Sequence, residues 1–135
     1  MAEGLFSSAH FEVRIEAGRR AEARRLGLCF VGPLSNETRD DPAGRPSSGP
    51  APVVLRRALS DDRFLFDWRQ GVADGKDDPR SVTLRLFSGA DRQRTVELRL
   101  EGCRPTRWSG PRLDAVDGGV ALEEIELAYD KLIWV

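Results

Sequence analysis

The chain is poor in the residue types that carry most catalytic and metal chemistry. It has one histidine and two cysteines in 135 residues. His10 stands near the start, and Cys29 and Cys103 are far apart in sequence. A serine or cysteine nucleophile would have to take its base from that one imidazole. No G-x-S-x-G turn accompanies it, and neither cysteine lies near it. Zinc takes three or four clustered ligands, which this set does not supply. Glycine-rich phosphate loops are lacking too, since the glycines are scattered at turns. Asp74-Gly75-Lys76-Asp77-Asp78 lacks the alternating aspartates and the closing glutamate of a calcium loop, and reads as a solvated helix exit. The expectation is a protein that is not an enzyme and holds no cofactor or metal.

Long apolar runs are missing as well. None approaches the ~20 residues needed to cross a bilayer, so no direct membrane insertion is expected. The start, MAEGLFSSAHF, has no basic region ahead of an apolar stretch, which excludes a typical secretory leader. Without one, assembly in a cytoplasm is expected. Cys29 and Cys103 then read as two small buried hydrophobes rather than a disulfide. A surplus of one charge is also lacking: 21 basic residues stand against 22 acidic ones. That balance argues against nucleic-acid-specific binding, which goes with a basic surplus.

What is present is alternation. Phe11, Val13 and Ile15 interleave with Glu12, Arg14 and Glu16, the period-two signature of a half-buried strand. A turn near Gly18 leads to a second strand within Arg19 to Val31, antiparallel to the first. Residues 32–52 hold five of the eight prolines and read as a long loop with a short ordered piece near Leu34. Val53 to Arg57 is a short strand. One helix follows, with Ser60 as N-cap, Asp61 and Asp62 favoured by the helix dipole, and Gly75 as the stop. Phe64, Leu65, Trp68 and Val72 form its apolar stripe, with Trp68 as anchor. Ser81 to Phe87 and Arg94 to Glu101 alternate again, with Val82, Leu84, Leu86, Val96, Leu98 and Leu100 inward. They make the clearest hairpin. Gly102 to Pro105 bends it into a closing segment.

In that segment Val120, Leu122, Ile125, Leu127 and Tyr129 supply the apolar weight, and Glu123, Glu124 and Glu126 the wet face. On an alternating strand Glu124 and Glu126 share a side and Glu123 points the other way, which does not suit paired acids for glycoside hydrolysis. Trp68, Trp108 and Trp134 read as core or subunit contacts rather than a ligand platform. Residues 1–135 form one domain that is mainly β. The expected architecture is an antiparallel barrel or sandwich of about six to seven strands with one helix, since no strand–helix alternation points to a parallel sheet.

Several of these stretches, in this order, resemble the tail-tube proteins of contractile phages and phage-derived contractile injection systems. Phe11 to Gly18 resembles that family's opening strand. Val54-Leu55-Arg56-Arg57-Ala58, followed by Phe64-Leu65-Phe66-Asp67-Trp68, resembles its L-K-R-G step and a helix ending in D-W. Trp108-Ser109-Gly110-Pro111, Leu113-Asp114-Ala115 and Ala121 to Tyr129 resemble its C-terminal signature. The sequence departs from the pattern at Ser35 to Gly49, where the family carries an E-Y-R-E-G-G type step and this chain carries prolines.

The resemblance implies a tail-tube-like fold and a structural inner-tube subunit. It implies stacked hexameric rings around a lumen through which effector cargo passes when a contractile sheath protein shortens. Partners would be further copies, the sheath, and baseplate and spike proteins, in a phage tail or a tail-like particle that can be released. Candidate lumen or subunit-interface residues are Glu12, Arg14, Glu16, Arg56, Trp68, Glu97, Arg99, Glu101, Trp108, Leu113, Glu124 and Glu126. Two alternatives stay open. One is a minor tube-initiator paralogue at the baseplate end, suggested by the rebuilt 35–49 stretch. The other is a monomeric ligand-binding β-barrel.

Overall fold

A computed structural model describes residues 6–16, 24–27, 30–36, 39–40, 46–47, 51–88 and 94–135. The strands are β1 (Phe6–Ile15), β2 (Arg24–Leu26), β3 (Phe30–Gly32), β4 (Arg39–Asp40), β5 (Pro46–Ser47) and β6 (Val53–Ala58), then helix α1 (Phe64–Ala73). After it come β7 (Arg80–Ser88), β8 (Thr95–Ser109), β9 (Leu122–Ala128) and β10 (Lys131–Trp134). All pairings are antiparallel, in the order β2-β1-β7-β8-β9-β6-β3, with β10 also on β8. The mainly-β antiparallel expectation with one helix stands.

The long strand β8 joins two halves of this sheet. Its first part pairs with β7 and β10, and its second part pairs with β9. The change of direction falls at Gly102, whose φ of 68° is in the left-handed region that glycine enters at little cost. A side chain there would overlap the carboxylate of Asp130, which lies against the bend. The two halves enclose one core: Val13, Ile15, Val82, Leu84 and Leu100 from the first half meet Val53, Leu55, Ile125 and Leu127 from the second.

Some expectations need correcting. The segment after Gly18 does not make one strand: β2 pairs with β1, whereas β3 pairs with β6 in the other half. Helix α1 does not begin at Ser60. That hydroxyl accepts from the Asp62 amide, and the Asp62 carboxylate accepts from the Phe64 amide at 3.1 Å, so Asp62 serves the first turn. The reason is that Leu59 still follows the sheet, its amide donating to Ala121 O at 2.9 Å. Gly75 does end the helix, with φ 99°. Its N–H donates to Val72 O and that of Lys76 to Gly71 O, a Schellman closure.

The closing segment is two strands, broken at Tyr129-Asp130, where the Asp130 amide turns back to Glu101 O at 2.8 Å. Within 32–52, β4 and β5 form a two-residue ladder. Residues 33–36 are tied to the core by Ser35, whose carbonyl accepts from the Tyr129 hydroxyl at 2.7 Å. Cys29 and the Gly18 turn lie outside the described residues. Cys103 is buried, as expected.

Candidate assembly surface

Alternation on the first half of the sheet puts its apolar side chains in the core, so its other face must be polar. Cross-strand register then decides which charges meet. Glu12 pairs with Arg85, which pairs with Glu97. Arg14 pairs with Thr83, which pairs with Arg99. Glu101 pairs with Lys131. The guanidinium of Arg85 reaches Glu97 at 3.2 Å, and that of Arg14 reaches Glu12 at 3.0 Å. Glu12, Arg14, Glu16, Thr83, Arg85, Glu97 and Arg99 line a shallow depression of about 160 Å³. Six of the candidate residues therefore share one face, and Thr83, Arg85 and Lys131 complete it. Reading each strand alone missed these three, but Arg85 sits at the outward parity of β7.

The remaining candidates scatter. Arg56, Glu124 and Glu126 lie on the outer face of the second half, where Arg56 pairs with Glu124 at 3.3 Å and Arg107 with Glu126 at 3.3 Å. Trp68 is inside, its indole N–H donating to Asp78 O at 2.9 Å. Leu113 is 86% exposed on the loop between β8 and β9.

Trp108 belongs to a buried polar knot that no single stretch of sequence reveals. Arg57 and Glu123 are direct cross-strand partners at inward parity, and both are buried. Arg57 Nε donates to Glu123 Oε2 at 2.9 Å, and Trp108 Nε1 donates to Glu123 Oε1 at 3.0 Å. Arg57 also donates to the Asp62 carboxylate and carbonyl, both at 3.1 Å. Glu123 is therefore not on a wet face. Burial alone would push the Asp62 carboxyl up, but the Phe64 amide, the Arg57 hydrogen bond and the nearby Arg57 and Arg24 charges outweigh it and hold it below the usual range. The knot joins β6, β8, β9 and the entry to α1. The Trp108 ring also meets Phe66 of α1 edge-on, centroids 5.1 Å apart.

The apolar weight assigned to Val120 and Leu122 is also wrong: they are 77% and 38% exposed. They flank a loop that carries Leu113 and Val116, the latter 95% exposed. The loop is nonetheless ordered. The Asp114 carboxylate accepts from the Asp117 and Val116 amides, which lowers its pKa, and the Gly118 amide closes the turn on Asp114 O.

The sequence profile of the T4-like virus tail tube protein gp19 matches residues 47–133. That is more than half of the chain. The chain belongs to the tail-tube family. The match begins inside the 35–49 stretch where the family's usual step is missing. No curated protein sequence matches the chain.

Several solved structures share its fold. In the sheath–tube complex of an extracellular contractile injection system in the extended state, a chain 20% identical covers 98% of this one and is covered to 93%, with TM-score 0.75. In the sheath/tube terminator of the same system the figures are 19%, 96%, 95% and 0.72. Hcp1 from Flavobacterium johnsoniae is 12% identical, with 93% and 94% coverage and TM-score 0.60. The tail-tube family is one of structural proteins. Among the described residues no cluster of His, Cys, Asp and Glu could hold a metal ion, and no helix is long and apolar enough to cross a membrane.

Proposed function

We propose that this tail-tube protein is the inner-tube subunit of a contractile injection apparatus or phage tail, built as stacked hexameric rings. One observation carries the reading: the first half of the sheet presents a charged face on β1, β7, β8 and β10 while its two margins lack backbone partners among the described residues. Among the described residues, β10 pairs only with β8, and β2 covers only the second part of β1. Unpaired backbone at a sheet margin is a template for another strand. Pairing the β10 margin of one copy to the β1–β2 margin of the next repeats head to tail and closes as a ring.

The charged face then lines the bore. Its signs alternate: Glu12, Glu16, Glu97 and Glu101 stand beside Arg14, Arg85, Arg99 and Lys131. A lining of near-zero net charge does not concentrate cargo of either sign, so transit is not slowed by capture. The outer surface would meet the sheath, and the ends of the stack the baseplate and spike proteins. Assembly would take place in the cytoplasm, and the finished particle would act where it is released.

Sedimentation velocity and negative-stain microscopy of the purified protein test this. Annular particles with a central hole are expected. A chain that stays monomeric at high concentration refutes the reading.

A further inference from the structure

The near-zero sum of charge on the first half of the sheet hides a fixed order. Strands β1 and β8 present the same outward sequence of side chains: Glu12, Arg14 and Glu16 on one, Glu97, Arg99 and Glu101 on the other. Glu16 lies one residue past β1, and its amide continues the ladder by donating to Ser81 O at 3.1 Å. Register across β7 sets the two rows level. Arg85 stands between Glu12 and Glu97, and Thr83 between Arg14 and Arg99. The middle level therefore holds two arginines and no acid. On one side of it Glu12 and Glu97 flank Arg85. On the other, Glu16 and Glu101 stand with Lys131, the cross-strand partner of Glu101.

Some of these charges are used within the chain and some are not. Arg14 is on Glu12, and Arg85 is on Glu97. Arg99, Glu16 and Glu101 make no ion pair among the described residues. Arg99 is thus a cation open to a ligand, yet the next outward side chain on each side of it, about 7 Å along the strand, is a glutamate. That spacing is inside the ~8 Å screening length of physiological salt. A polyanion carries charge at every step, roughly one per 3.4 Å along each strand of a DNA duplex. It cannot lay a phosphate on Arg99 without setting its neighbours against Glu97 and Glu101. A polypeptide, whose charges are sparse and of both signs, meets no such repeated clash.

We propose that the two Glu-x-Arg-x-Glu rows are a specificity element against polyanions: their glutamates keep nucleic acid from being captured on this face. Discrimination comes from repulsion of the wrong ligand, not from attraction of the right one. Glu16 and Glu101 are the determining residues, because no cation in the chain neutralises them by an ion pair among the described residues. The inference rests on the ring reading for making this face a bore. The rows themselves belong to the single chain, so their effect on binding is measurable whether or not rings form.

The experiment measures binding of a fluorescently labelled oligothymidylate by anisotropy across a salt series, with sedimentation velocity run on the same samples. The proteins are the wild type, Glu16→Gln/Glu101→Gln, the same pair with Arg99→Gln, and Glu16→Lys, which makes an equal change of charge at one exposed position. Circular dichroism checks that each is folded. The wild type should show no measurable binding at physiological salt. E16Q/E101Q and E16K should bind at least about tenfold tighter, as expected when like charges about 7 Å from the phosphates are removed. Their affinity should fall with salt, and adding R99Q should make that dependence shallower and take back most of the gain. A wild type that binds as tightly as E16Q/E101Q and E16K, or a gain that survives R99Q unchanged, overturns the inference while leaving the ring reading untouched. If no rings sediment but the binding pattern appears, the ring reading falls and the charge rule stands.

Discussion

Arg57–Glu123 and Arg56–Glu124 are neighbouring ion pairs on the same two strands, one turned into the core and the other to solvent. Their side chains are 8% and 2% exposed in the first pair, against 43% and 26% in the second. Glu123→Ala therefore leaves the Arg57 cation short of one of its two carboxylates and the Trp108 N–H without an acceptor. Breaking a buried pair by removing one partner costs about 3–5 kcal/mol. Arg57 keeps Asp62, so the lower end, about 3 kcal/mol, is expected. For a chain of this length that is a fall in Tm of roughly 10 °C. Glu124→Ala breaks an exposed pair and should cost about 0–1 kcal/mol. Glu123→Gln keeps the Trp108 acceptor and should fall between them.

The assay is urea and thermal unfolding followed by tryptophan fluorescence and circular dichroism. It should be run at concentrations where sedimentation shows monomer, because association with other copies raises apparent stability. Equal losses for E123A and E124A would refute the assignment of the knot as a core element.

Other predictions follow from single sites. Gly102→Ala forces a left-handed residue against Asp130 and should destabilise by about 1–2 kcal/mol in chemical unfolding; adding Asp130→Gly should recover only the steric part. The folded Asp62 pKa lies below its ordinary 3.8, so its contribution is full above that pH and is lost as the pH falls through the folded value. Asp62→Asn should accordingly flatten the acid limb of a stability–pH curve below about pH 4, read by thermal unfolding across pH. Burial, with the Asp130 charge adding to it and a Val82 hydrogen bond opposing, pushes the Cys103 thiol up to about 12. In a Cys29→Ser background Ellman's reagent should find no reactive thiol until the protein is unfolded.

Much of the sheet was legible because parity is a local signal. Phe11 to Ile15, Ser81 to Phe87 and Thr95 to Glu101 alternate cleanly, and each became a strand with the expected face inside. The same rule, pressed further, would have found the knot: Arg57 shares parity with Val53 and Leu55, and Glu123 with Ile125 and Leu127. A charge at inward parity on two strands is a buried pair if those strands meet. That they meet is a long-range fact no window contains. Trp134 was read as a core or subunit contact, and it is not in the core of the single chain: it is 74% exposed on β10, a margin strand with nothing beyond it among the described residues. Leu113 was placed as a contact residue by resemblance, and the fold shows why it is available: the Asp114 turn holds it out.

The bend at Gly102 lets one continuous main chain run from the charged first half of the sheet into the second half. In the proposed tube, force applied from outside would travel along this strand through covalent bonds into the proposed bore wall, not through side chains that can slide. A hollow rod made of such pieces resists local buckling, because inner and outer skins cannot shear apart without breaking a strand.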